Sequence, residues 1–149
     1  MSNAVKISEA TSLALHTMVY LAGKPEEIVS VNEIASILSI SEAHLSKVLQ
    51  RLSKAGLVES NRGPKGGFKL VRNPEEITLI EVYEVVEGPL QHPDCLYGTR
   101  ICNNDQCIFH GLLGTMGKMF RDYLSNTKLS DVTNIYRREE NVGAENSQN

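Results

Sequence analysis

The chain has no run of about 18 apolar residues, which excludes a membrane-spanning helix. It also lacks the basic start, apolar centre and small-residue cleavage site of a secretory leader. Both absences point to the cytoplasm and to a partner that is not a membrane. Cysteine is scarce: three residues in 149, all between Cys95 and Cys107. An odd number in a cytoplasmic chain does not suit a disulfide framework and reads as metal or redox chemistry. Net positive charge is missing as well, the formal balance being −3, which at first argues against a nucleic-acid partner.

The distribution of charge reverses that argument. Between His44 and Arg72 stand Lys47, Arg51, Lys54, Arg62, Lys65, Lys69 and Arg72, opposed by Glu59 alone. One basic patch on an acidic body suits a protein that meets a polyanion with one face. At 149 residues, with ordinary apolar content, the chain can bury a core and form one domain with an appendage.

Residues 8–23 read as a helix capped by Ser8, with apolar side chains around most of its circumference; such a helix needs cover on several sides, which suggests a second subunit as well as the core. Ser30 and Glu33 have the spacing of a capping box, and Val31, Ile34, Ala35 and Leu38 share a face behind it. After the break Ser39-Ile40-Ser41, a further helix begins at Ser41 and buries Leu45, Val48, Leu49 and Leu52. Two short helices across such a turn make a helix-turn-helix. The opposite face of the second helix carries Ala43, Lys47, Gln50 and Lys54, flanked by His44, Ser46 and Arg51. It suits a major groove, with its N-terminal residues at base edges and its cations at phosphates.

Gly56 ends that helix. The alternating runs 57–60 and 68–71 flank Asn61-Arg62-Gly63-Pro64-Lys65-Gly66-Gly67, the pattern of a hairpin with a basic tip. This order of elements describes a winged helix, with Arg62, Gly63 and Lys65 at the tip that meets DNA. Thr78 and Glu81 form a second capping-box pattern, and their helix stops at Gly88-Pro89. Residues 108–124 read as one long helix with a broad apolar stripe from Phe109 to Leu124, which calls for a dimer partner. Gly111, Gly114 and Gly117 recur within it. Leu129 to Tyr136 suggests a last short helix, and a polar, disordered tail follows from Arg137.

Between the winged helix and the long helix lies Cys95-x6-Cys102-x4-Cys107-x2-His110. Thiolates suit iron–sulfur clusters, zinc and copper(I). The Gly98 and Asn103-Asn104 region can bend around a centre. Cys107 and His110 fall one helical turn apart at a helix start, where the dipole favours thiolate. The set favours an iron–sulfur cluster. Zinc is the alternative, although the paired knuckles usual in zinc sites are missing. His92 and Asp105 are weaker candidate ligands than His110. Nothing nearby supplies the orienting acid or oxyanion hole of a catalytic Cys–His pair, so no enzyme is expected.

Gly56-Leu57-Val58, the wing Arg62-Gly63-Pro64-Lys65-Gly66-Gly67-Phe68 and three cysteines before a long helix resemble the IscR and NsrR type of winged-helix regulators, the Rrf-two family of bacterial repressors. The resemblance runs from about Lys6 to Tyr136. It implies a dimer on a palindromic DNA operator and a two-iron or four-iron cluster sensing iron–sulfur status, redox state or nitric oxide. It implies Cys95, Cys102 and Cys107 as cluster cysteines and His110 as the histidine ligand of the IscR branch. Cysteine spacings of six and four replace the usual five and five. Ser12 stands where the NsrR branch supplies an aspartate, which argues for His110. Ser46 stands where IscR-like proteins carry glutamate, so operator preference does not transfer.

The expected fold is mostly α: a winged helix-turn-helix with a two-stranded wing, plus a long C-terminal dimerisation helix. The expected divisions are 1–88 for DNA binding, 89–110 for the ligand loop, 108–136 for the dimerisation helix and short terminal helix, and 137–149 for the tail. The expected function is a repressor whose operator affinity is controlled by an iron–sulfur cluster, with DNA contacts from Ser41, His44, Ser46, Lys47, Gln50, Arg51, Lys54, Arg62, Gly63 and Lys65. The alternative is a zinc- or thiol-dependent regulator, or a metal-handling protein whose winged helix serves protein–protein contact.

Overall fold

The computed structural model describes residues 5–91, 95, 97, 101–103 and 107–136. Five helices and one hairpin follow in the order α1 (Glu9–Ala22), α2 (Val31–Leu38), α3 (Glu42–Lys54), β1 (Val58–Asn61), β2 (Gly67–Leu70), α4 (Leu79–Glu87) and α5 (Leu112–Asn126). Short 3-10 turns occupy Pro74–Glu76 and Leu129–Val132.

Serine hydroxyls start the first three helices. Ser8, Ser30 and Ser41 accept from the amides of Thr11, Glu33 and His44 at 3.2, 3.1 and 3.2 Å, each satisfying a donor the helix cannot use. Ser39 turns α2 toward α3 in the left-handed region (φ 54°). The Ser30–Glu33 box is only half formed. The Glu33 carboxylate leaves the cap and accepts instead from Tyr20 Oη at 2.6 Å and Lys24 Nζ at 2.7 Å, because α1 brings two donors within reach. The second box does not form: Thr78 makes no side-chain cap bond, and Glu81 pairs with Arg72 at 2.8 Å. The amide of Leu79 bonds the Thr127 carbonyl at 2.9 Å instead.

α1 is the centre of the fold. Its buried residues reach around the helix from Leu13 and Ala14 to Met18, Leu21 and Ala22. The cover comes from the same chain, as α2, α3, α4, β2 and the turn at Leu129 all pack on it. Ala10 and Leu15 on the same helix remain only partly buried. Leu45, Leu49 and Leu52 of α3, Ile34 of α2, Val82 of α4 and Leu129 are fully buried in the same core.

The hairpin pairs Val58 with Leu70 and Asn61 with Gly67, one residue later at β1 and one earlier at β2 than the alternation suggested. A third segment joins it. Val29, just before α2, exchanges backbone bonds of 2.9 and 2.8 Å with Phe68. A Cβ on Gly67 would collide with the Val29 backbone, so glycine there permits the wing to be sewn to the helix-turn-helix.

The long helix begins later than expected. His110 (φ 45°) and Gly111 (φ 79°) adopt left-handed conformations that a right-handed helix cannot contain. Residues 108–111 form turns and α5 starts at Leu112. Gly111 is thus a break rather than a helical residue, and Cys107 and His110 are joined by a turn bond of 3.1 Å. At the other end, the expected helix from Leu129 to Tyr136 is reduced to the 3-10 turn. Tyr136 folds back, its hydroxyl donating to the His16 carbonyl at 2.6 Å and its ring meeting Tyr20 edge-on at 5.5 Å. The tail 137–149 lies outside the described residues.

Candidate nucleic-acid interface and cysteine stretch

The outward face of α3 and the wing enclose a recess lined by Lys47, Gln50, Arg51, Lys54, Arg62 and Phe68, with Ser53 and Ser60. Burial of Leu45, Val48, Leu49 and Leu52 orients α3 and so presents Lys47, Gln50, Arg51 and Lys54 to solvent on the other side. Arg62, Gly63 and Lys65 are exposed at the wing tip.

The basic patch divides into two groups. Lys69 pairs with Glu59 across the hairpin at 3.1 Å. Arg72 is held by Glu81 and by the Glu76 carbonyl at 2.7 Å. Lys47, Arg51, Lys54, Arg62 and Lys65 have no acidic partner within 4.0 Å among the described residues. These five exposed cations are available to a polyanion; Lys47, Arg51, Lys54 and Arg62 line the recess, and Lys65 stands at the wing tip. Three other predicted contacts are engaged or half-buried. The Ser41 hydroxyl caps α3, His44 Nδ1 lies 3.7 Å from Glu9 Oε1, and Ser46 is half-buried. Phe68 and Ser60 were not foreseen at this surface. An aromatic residue in a wing strand, beside glycine and lysine, was the available signal.

Side chains beneath the interface hold its helices together. Lys24, bonded to the Glu33 carboxylate, lowers the Glu33 pKa, and Tyr20 adds to the effect. The same bond raises that of Lys24. Burial raises the Tyr20 and Tyr136 hydroxyls. At the opposite end of α1, Glu87 is only 6% exposed. Its carboxylate accepts from the Ser8 amide at 3.0 Å, Thr11 Oγ1 at 2.5 Å and Lys6 Nζ at 3.2 Å, and hydrogen bonds from Ser8 and Thr11 hold its pKa down at about 2. Reading the sequence did not single out Glu87. A carboxylate at the last residue of a helix opposes the dipole and was a signal that donors lie across an interface.

Cys95 and Cys107 are half-buried and Cys102 is exposed; none is in a disulfide. His110 is exposed. Among the described residues, no three His, Cys, Asp or Glu side chains are close enough to hold one metal ion. His92, Asp105, Gly98 and Asn104 lie outside the described residues. The donor set nevertheless suits a soft metal centre: three thiols and an imidazole on one sixteen-residue stretch, with no disulfide competing for the sulfurs. No described helix is long and apolar enough to cross a membrane.

Comparison with known proteins follows the same lines. Residues 7–135 match the Rrf2 family, described as iron-dependent transcriptional regulators. The chain is 35% identical over 131 residues to the HTH-type transcriptional regulator NsrR of Halalkalibacterium halodurans, covering 86% of this chain and 90% of that one. Its fold is similar to that of CymR (YrzC), the global cysteine regulator of B. subtilis, with TM-score 0.73 and 30% identity over 87% of this chain and 96% of that chain. It is also similar to T. potens IscR, with TM-score 0.66 and 29% identity over 85% of each chain. These relatives are regulators, not enzymes.

Proposed function

Because the chain belongs to the Rrf2 family of transcriptional regulators, we propose that it is a homodimeric repressor that binds a palindromic DNA operator and is controlled through its cysteine stretch. One observation carries the reading: five exposed cations on α3 and the wing without acidic partners among the described residues, four of them lining one recess. Lys47, Gln50 and Arg51 contact the major groove, Lys54 the phosphates, and Arg62, Gly63 and Lys65 the adjacent backbone or minor groove. Ser41, His44 and Ser46 support the N-terminal end of α3 in that groove. Leu112, Met116, Met119 and Tyr123 recur on one exposed face of α5, the surface on which a second copy packs.

Cys95, Cys102, Cys107 and His110 would hold an iron–sulfur cluster, of two or four irons, which supplies a redox- and nitric-oxide-sensitive centre when bound. The residues themselves determine which centre is accepted. Thiolates favour soft iron or zinc, and the turn at His110 and Gly111 joins the stretch directly to α5. A second reading is a regulator that answers through its thiols or a zinc ion. The similarity to CymR favours it.

The test is selection of bound duplexes from a random pool, with affinity then measured against salt. Enrichment of a palindrome is expected, together with a slope of log affinity on log salt that steepens by about 0.9 for each phosphate neutralised. No enrichment and a flat salt response would sink the reading. Absorption and metal analysis of protein prepared without air separates its branches: a brown protein with iron and sulfide supports the cluster, a colourless one with zinc or no metal the second reading.

A further inference from the structure

A series of polar contacts runs from the root of the cysteine stretch to the recognition helix. It begins at Leu90, which is buried just before the stretch. The Leu90 N–H donates to Glu84 Oε1 on α4 at 3.0 Å, and its carbonyl accepts from Arg121 Nη2 on α5. The root therefore grips both helices. One turn past Glu84, Glu87 ends α4 and accepts three hydrogen bonds or ion pairs from the start of α1. Tyr83 reinforces the junction by donating to the Lys6 carbonyl at 2.8 Å. In the first turn of α1, Glu9 Oε1 lies 3.7 Å from His44 Nδ1 in the first turn of α3, both side chains solvent-accessible. These contacts join the end of α4 to the N-terminus of α1, which itself packs on α3.

We propose that Glu87 is a positioning residue for DNA binding: its buried carboxylate clamps the N-terminus of α1 to α4, so that the placement of the cysteine stretch's root is transmitted to the recognition helix. This rests on the reading of the chain as a regulator controlled by that stretch. The geometry suits transmission better than simple cohesion. The apolar core already holds α1 against α4 along its length, whereas the clamp acts only at the end where both the cysteine stretch and α3 are engaged. A charged acceptor with three donors has a narrow range of geometries, so it resists sliding that aliphatic packing would tolerate.

The test uses the full chain in four forms, wild type, Arg121→Met, Glu87→Gln and the double variant, with amide hydrogen exchange read segment by segment. Arg121→Met removes the donor at the root without touching α1 or α3. It is expected to speed exchange about tenfold in the first turns of α1 and α3 while leaving β1 and β2 unchanged. Glu87→Gln is expected to do the same, and the double variant to be no faster than either single one, because distant independent sites would otherwise add. Glu87→Asp, which keeps the charge, should fall between wild type and Glu87→Gln. Should Glu87→Gln not fold, Glu87→Asp takes its place in the cycle.

An Arg121→Met effect confined to α5 and the root overturns the proposal. So does additivity in the double variant, and so does a uniform rise across the core, which would mark general loosening. In parallel, affinity for a selected duplex should fall several-fold in Arg121→Met and not fall further when Glu87→Gln is added. Failure of the wild type itself to bind any duplex would instead overturn the regulator reading, a result separate from the exchange pattern that decides the clamp.

Discussion

Helices α3 and α5 differ by only two residues in length, yet their surroundings are opposite. α3 is finished by its own chain. Ser41 caps it, all four residues of its apolar stripe are buried, and apart from Ala43 its exposed side chains are polar. α5 has Gly111 at its cap with no side-chain bond, and among its apolar residues it buries Leu113 and Leu124 while Leu112, Met116, Met119 and Tyr123 stay exposed. A helix completed in this way can present a rigid surface to a ligand that arrives later. A helix half-covered on its apolar side carries surface that water does not favour, and it follows directly on the stretch where the thiols lie. The proposed reading surface is built before anything binds, and the proposed regulatory end is left to be completed.

The sharpest test of that contrast is truncation. Leu49→Ala, at a fully buried position of α3, is expected to cost about 2–5 kcal/mol in urea unfolding. Leu112→Ala on α5, 49% exposed, should cost below about 1 kcal/mol at concentrations where the chain is monomeric. Equal costs would show that α5 is as fully packed as α3. A charge on the exposed face sharpens the point: Met116→Asp should leave subunit unfolding within about 0.5 kcal/mol of wild type. It should raise the dimer dissociation constant by on the order of tenfold or more in sedimentation, since a buried unpaired carboxylate is costly. An unchanged dimer would place the interface elsewhere.

Smaller effects probe how the two ends of α1 are fastened. The Glu87 pKa in the folded chain lies below its ordinary value of 4.5, at about 2. Its contribution is therefore complete above that ordinary value and is lost as pH falls from there toward 2. Wild type should lose on the order of 1–2 kcal/mol relative to Glu87→Gln over that window, and parallel pH profiles would show that the carboxylate adds nothing. The smallest contrast is between caps. Ser41→Ala should cost about 1 kcal/mol, and Thr78→Ala, which removes no cap bond, less than about 0.5 kcal/mol.

The caps explain why much of the fold could be read in advance. Ser8, Ser30 and Ser41 act within three residues of themselves, and the stripe of α3 repeats within four, so local sequence contains the whole interaction. The wing was legible for the same reason, its turn residues lying between two alternating runs. The start of α5 was misplaced because an apolar periodicity continues through His110 and Gly111 although the backbone does not. The Val29–Phe68 pairing had no local signature at all, being formed across 39 residues by an otherwise ordinary valine.

In the candidate interface, the sequence located the basic residues but not their availability. Lys69 and Arg72 counted equally with Arg62 and Lys65 until packing placed Glu59 and Glu81 beside them. The sequence by itself determined the first four helices, where they begin when a serine caps them, and that every thiol lies on one stretch. Tertiary structure alone decided where the long-range side-chain bonds go: Glu33 to Tyr20 and Lys24 rather than to its cap, Glu87 to donors 76 and 79 residues away. A hydrogen bond within one helical turn is available as soon as the turn forms. A carboxylate takes the strongest donors that packing brings near, and those are not chosen until the helices have met.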